Sequence, residues 1–268
     1  MKNAAFSPKA VALSMAFVLF MAMFTACTQK DKDAPKLPPI ESMVIDFTKF
    51  PKDEGKTADE TATKNNFGFA AVNVGWWSTV LVVNLAIPVA AFYESFNHDA
   101  TYSAALEKWT WTYSFNAGGM HTARLEATLN GIDEVHWEMY ISKAGAYSDF
   151  LWFSGNTKTD ESAATWQLMK NPTAPVPYIS INYARSSSAS ADIRYTLVEP
   201  GIDSGSYIEY GATANPLNAF YNIYLANGNN LTNINWNTTS QEGRVKSLVH
   251  FGNDEWQCWN SMLEDTGC

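Results

Sequence analysis

The sequence predicts a mainly β protein: a long antiparallel meander curled into a barrel or half-barrel, with an N-terminal helix packed against it. Three observations point there. From Trp109 onward, apolar and polar residues alternate with a period of two. Clusters of Gly, Asn, Ser and Pro interrupt that alternation at short intervals. Before it runs a stretch of 29 residues, Asn65 to Tyr93, without one charged side chain.

The chain opens on a leader. Lys2 and Lys9 make a positive start, and Ala10 to Phe24 is apolar and uncharged. That length suits a secretory signal and is short for a bilayer span. The segment closes on Phe24-Thr25-Ala26-Cys27. This motif resembles the lipobox of bacterial lipoproteins, with Phe where Leu, Val or Ile is usual. The resemblance covers the first thirty or so residues. It implies cleavage before Cys27, a diacylglyceryl thioether and an N-acyl chain on that cysteine, and hence a membrane partner reached through the lipid. Two or more chains anchor a protein stably. Thr28, rather than Asp, follows the cysteine. In that family this implies the outer membrane, on its periplasmic face or at the cell surface.

The expected organisation is therefore a signal peptide over 1–26, a lipidated tether over 27–41 and one globular domain over 42–268. Gln29-Lys30-Asp31-Lys32-Asp33 reads either as a solvated tether or as a surface-export tag, and the three prolines of Ala34 to Pro39 favour an extended spacer. Without residues 1–26, which hold Lys2 and Lys9, 242 residues remain with 16 basic and 27 acidic side chains, a formal charge of −11. Such a surface excludes nucleic acid as a partner and electrostatic adhesion to anionic lipid.

Within the domain, Ile40 to Phe50 reads as a short strand or docking segment, and 51–64 as a charged loop. Asn65, Asn66, Asn73, Asn84 and Pro88 argue against a membrane span in the charge-free stretch. It is expected to form one or two buried helices within 65–96. Ten or eleven strands are expected over 109–248, with turn signals at Gly118-Gly119, Asn130-Gly131, Gly155-Asn156, Ser186-Ser187-Ser188, Pro200-Gly201 and Asn227-Gly228-Asn229. A meander of that length must curl or close. The architecture is similar to lipoprotein-carrier and lipocalin-like half-barrels, an analogy of fold that says little about function. The remaining 249–268 is expected as a tail. Its Cys258, with Cys268, makes an even pair in an exported chain, either a disulfide or two free thiols.

The Asn130-Gly131 hairpin suggests a register. A three-residue loop over Asn130, Gly131 and Ile132 sets Leu125 opposite Trp137 and Ala127 opposite Val135. The other face then pairs Arg124 with Glu138 and Glu126 with His136. That face is either cross-strand ion pairing in solvent or, in a hydrolase, an acid/base pair of Glu126 and Glu138. His98 and His250 lie outside any ligand spacing and read as surface or packing residues. The serines near Ser187 lack the glycines of a nucleophile elbow. No phosphate-binding loop or metal-type Cys/His spacing is found, so neither a metal nor a cofactor is expected.

Aromatic residues are the remaining candidates: 10 Trp, 12 Tyr and 15 Phe. Most should be core. Trp76, Trp77, Trp256 and Trp259 are the ones expected to line a groove for an apolar or glycan ligand. Three functions follow: a non-catalytic envelope lipoprotein that binds an apolar ligand or lipid or scaffolds a membrane complex; a surface glycan-binding lipoprotein; and a secreted hydrolase. The sequence identifies no protein partner.

Overall fold

Alternation makes each strand two-faced, and a sheet of such strands has one face to bury. The structure, a computed structural model, describes residues 32–55, 62–187 and 190–268. Cys27, the expected lipid attachment site, lies outside the described residues.

Two short 3₁₀ turns, Ile40–Ser42 and Phe47–Lys49, precede the helix α1 (Asn65–Ser95). The strands follow: β1 (Thr101–Ser103), β2 (Lys108–Asn116), β3 (Met120–Leu129), β4 (Glu134–Lys143), β5 (Tyr147–Lys158), β6 (Ala163–Asn171), β7 (Ala174–Ser187), β8 (Ser190–Leu197), β9 (Tyr207–Ala212), β10 (Ala219–Leu225), β11 (Asn230–Trp236), β12 (Gly243–Lys246), β13 (Gln257–Trp259) and β14 (Asp265–Thr266). A four-residue helix, α2 (Leu248–Phe251), lies between β12 and β13. All fourteen strands form one antiparallel sheet in chain order. The sheet ends at β1 and β14 and is not closed into a barrel. Both end strands are short, which leaves little unpaired edge for another chain to join.

Two features differ from the sequence expectation and a third narrows it. Ile40 to Phe50 is the docking segment of the two forms expected, made of turns and irregular backbone, and not a strand. The segment 249–268 is not a separate tail, because β13 and β14 extend the sheet. Gly155-Asn156 is not a turn; it lies in the middle of β5. Gly155 pairs with Trp166, and a Cβ there would lie 2.1 Å from the Thr165 carbonyl oxygen and 2.4 Å from the Trp166 ring. Gly211 opposite Phe220 and Gly243 opposite Trp259 repeat the device. The aromatic ring covers the bare backbone of the glycine across from it.

The buried face carries Trp111, Trp137, Trp166, Tyr195, Tyr221 and Trp236 among others. Fully burying one large apolar side chain contributes roughly 1.5–3 kcal/mol, so this face dominates the stability. α1 lies across it. Phe67 meets Trp259 of β13, with ring centroids 5.7 Å apart. Leu81 and Leu85 share an apolar pocket with Tyr195 of β8. Phe92 meets Phe153 of β5 and Trp166 of β6 at 6.2 and 6.1 Å. The Tyr113 hydroxyl of β2 donates to the Ala91 carbonyl at 2.6 Å. A helix of this length is about 45 Å long.

α1 is long and apolar enough by composition to cross a membrane, yet one stripe of it is buried on the sheet. Three of its polar residues are turned onto its own backbone. Asn73, Thr79 and Asn84 donate to the carbonyls four residues back at 2.9, 2.9 and 2.7 Å. Its first turn has no acidic residue. Asp265 of β14 supplies one, accepting from the Asn65 and Asn66 amides at 3.0 and 2.9 Å.

Candidate functional site

The segment from Leu37 to Pro51 is fixed by a few apolar anchors and two main-chain acceptors. Met43, Ile45 and Phe50 are buried. The Met43 carbonyl accepts from the Tyr195 hydroxyl, and the Lys49 carbonyl accepts from the Trp236 indole at 2.9 Å. Burial pushes the Tyr195 phenol well up, so it stays a donor. Phe50 joins a cluster with Phe67, Tyr221 and Trp236, at 5.9, 5.9 and 5.2 Å between centroids. Asp46 closes the second 3₁₀ turn by accepting from the amide and hydroxyl of Thr48 at 3.0 and 2.5 Å. The Thr48 hydroxyl, more than any other neighbour, holds the Asp46 carboxyl below the usual range.

Between this segment and α1 runs a cleft of about 920 Å³. Its walls include Val44, Phe47, Phe67, Val74 and Val82, and its rim holds Glu41, Asp46, Lys49, Lys52 and Asp53. An apolar pocket of about 210 Å³ shares Val44, Ile45, Phe47 and Val82 with it and continues to Leu85, Ala86 and Val89. The arrangement is a groove with apolar walls and a charged mouth, a form that suits an elongated apolar ligand. Sequence reasoning missed it. Its signal is a second apolar stripe at helical spacing, Phe67, Ala71, Val74, Ser78, Val82, Leu85 and Val89, beside the stripe that faces the sheet.

The four tryptophans singled out by sequence do not form one site. Trp77 is buried on the sheet-facing side of α1, and Trp259 is buried with its indole donating to the Gln241 carbonyl at 2.9 Å. Trp76 is exposed, its ring edge-on to Trp77 at 5.1 Å. Trp256 lies against Arg244 and Lys246, 4.1 and 5.3 Å from its centroid. Those side chains leave β12 on the side opposite the buried Val245.

The polar face is built in another register. Glu126 pairs with Glu138, Arg124 with Tyr140 and Thr128 with His136, while Leu125 faces Met139 and Ala127 faces Trp137. The loop holds four residues, Asn130 to Asp133, closed by the Asn130 amide donating to the Glu134 carbonyl at 2.9 Å. Ile132 is 99 % exposed in it. The longer loop lets the large Trp137 lie opposite a small alanine. Cations offset the like-charge pair: Lys108 reaches Glu126 at 2.6 Å, and Arg124 also binds it. Arg124 grips both oxygens of Asp149 at 2.9 and 2.8 Å and stacks on Tyr140 at 4.1 Å. Burial, followed by the charge of Glu138, pushes the Tyr140 phenol up. His136 is set apart, bonded to Asn156 at 2.8 Å. This is an ion-paired lattice on the face of the sheet opposite the core, with Glu126 only 8 % exposed beneath its two cations.

Cys258 and Cys268 are joined by a disulfide, with Cα atoms 5.2 Å apart. His98 stacks on Tyr113 and His250 on Phe69, at 4.8 and 3.7 Å. Among the described residues no cluster of three or more His, Cys, Asp or Glu side chains is placed to hold a metal ion. In comparisons with known proteins, no family model, curated protein or solved structure matches this chain.

Proposed function

We propose that this chain is a lipid-anchored protein of the bacterial outer membrane, held through Cys27, that binds an apolar ligand or lipid without catalysis. The observation that carries the reading is α1. The flank with Val72, Trp76 and Val83 faces outward and is apolar, while the opposite flank borders the open cleft. The helix presents no charge over 29 residues and keeps Asn73, Thr79 and Asn84 on its own carbonyls. Such surfaces mark contact with apolar matter. In this reading the open sheet is the wall of a half-barrel, with α1 as its filling. Twelve residues lie between Cys27 and Ile40, an extended reach of at most about 45 Å, so the domain works close to its membrane.

Intact-mass analysis of the membrane-extracted protein tests the anchor. The expected species begins at Cys27 and carries a diacylglyceryl and an N-acyl group. An unmodified thiol at Cys27 overturns the reading. The Cys27→Ser variant is expected as an uncut or soluble product. Glycan binding is the second reading, favoured by the exposed ring of Trp76. Saturable binding of a soluble polysaccharide, abolished by Trp76→Ala, would establish it instead.

A further inference from the structure

We infer that the outward flank of α1 is a dimer seam: two copies of this chain pack α1 against α1, antiparallel, about a two-fold axis at Thr79. The inference goes beyond the apolar-ligand reading and does not depend on the anchor.

The exposed positions of α1 are arranged symmetrically about Thr79, itself exposed. Trp76 and Gly75 lie three and four residues before it, Val82 and Val83 three and four after. Val72 answers Ala86 at seven, and Asn65 answers Tyr93 at fourteen. Spacings of three, four and seven are those of a helix–helix seam. A two-fold axis at Thr79 carries one half of the flank onto the other, so the flank is complementary to itself. Its relief fits as well. Val72, Gly75, Trp76 and Thr79 surround a hollow with a bare floor, since a Cβ on Gly75 would meet nothing within 4 Å. With the axis at Thr79, the knob that enters this hole is the partner's Val83. Val83 is 70 % exposed and stands clear of its own chain. A lipid surface has no knob for the hollow, whereas a second α1 supplies one of matching size. Closing the seam strands no polar group, because Asn73, Thr79 and Asn84 already donate to carbonyls of α1. No charged side chain lies between Asn65 and Tyr93 to repel its counterpart. A strip about 42 Å long and about 12 Å wide gives roughly 1,000 Å² over two copies, the size of a specific but reversible interface.

Gly75 gives the test. The mature chain carrying Cys27→Ser, which retains the whole compact unit 34–268, is followed by sedimentation equilibrium across the micromolar range. The expected result is a reversible monomer–dimer equilibrium. Gly75→Gln fills the hole and should weaken the dimer about tenfold or more. The melting temperature of the dilute monomer should stay or rise, because glutamine forms helix better than glycine and the site has room for it. Val83→Arg should weaken the dimer likewise, and Ile132→Arg, on the exposed β3–β4 loop, should leave it unchanged. Under mild oxidation Thr79→Cys should give a covalent dimer much faster than Ile132→Cys. A chain that stays monomeric throughout the range overturns the inference. So does a dimer that both Gly75→Gln and Val83→Arg leave intact, or equal cross-linking at positions 79 and 132. A monomer that binds phosphatidylcholine vesicles, and loses them with Val83→Arg, assigns the flank to lipid and overturns it too. None of these outcomes alters the mass measured for Cys27.

Discussion

At the scale of single residues, two carboxylates hold backbone that the local sequence leaves unsatisfied. Asp265 caps α1 from two hundred positions away, bonding the Asn65 and Asn66 amides. It also sits at the positive end of the helix dipole. Asp265→Ala should lower stability by about 1 kcal/mol, the usual worth of a cap, with the loss seen as a lower denaturant midpoint at an unchanged slope. A midpoint equal to that of the unsubstituted chain would show that the cap contributes nothing. Asp46 plays the same part in the 3₁₀ turn that floors the cleft. Its folded pKa is depressed, chiefly by the Thr48 hydroxyl. Its contribution is therefore present above the ordinary carboxylate range and is lost as pH falls through the folded value. Thr48→Val should move the Asp46 pKa upward, toward the value of about 3.9 for an unperturbed aspartate. A carboxyl-carbon NMR titration reads it, and an unmoved or lowered value refutes the assignment.

At the scale of elements, the strands were legible from the sequence and their joints were not. Alternation identified the runs from Trp109 to Leu248 because each strand buries every second residue, and the charge-free stretch gave α1 nearly to its ends. Short end strands such as β1 and β14 have too few residues to show a period. Gly155 looked like a turn because glycine punctuates loops. Here it gives way to the Thr165 carbonyl oxygen and to the Trp166 ring, which both crowd the place of a Cβ. Gly155→Ala should destabilise by about 1–3 kcal/mol through overpacking. Gly155→Ala made in the Trp166→Leu background should cost less than in the unsubstituted chain, measured by thermal melting of the four proteins; an equal cost would place the strain wholly on the Thr165 carbonyl. The β3–β4 register was misjudged by the same kind of local argument. Keeping apolar and polar faces apart favours a three-residue loop, whereas a four-residue loop keeps them apart too, setting Trp137 opposite Ala127 and leaving Glu126 opposite Glu138 with cations beside it. The cleft was invisible for a related reason. Its two walls follow one another in sequence, and only the docking of Met43 and Phe50 on the sheet sets one alongside the other.

At the scale of the molecule, the last strand, the first helix turn and the disulfide form one device. α1 spans the sheet, and its N-terminal end is held by β14, the final strand. β14 pairs only through Cys258 and Trp259, two positions of β13. So short a pairing is weak alone, because two residues fixed for a few bonds recover little of their chain entropy. The Cys258–Cys268 disulfide closes a loop around Asp265, so the cap is presented in a chain that cannot fray. On the chain-entropy account, removing it with Cys258→Ser and Cys268→Ser should cost about 2–3 kcal/mol. The more telling quantity is the coupling. If the disulfide works partly by presenting Asp265, then Asp265→Ala should cost little once the disulfide is gone. The combined variant should then fall short of the sum of the separate losses by about 0.5–1 kcal/mol. Denaturant unfolding of the four proteins closes this cycle. Additivity within about 0.3 kcal/mol would show that the disulfide pins only the chain end, and that the cap of α1 stands without it.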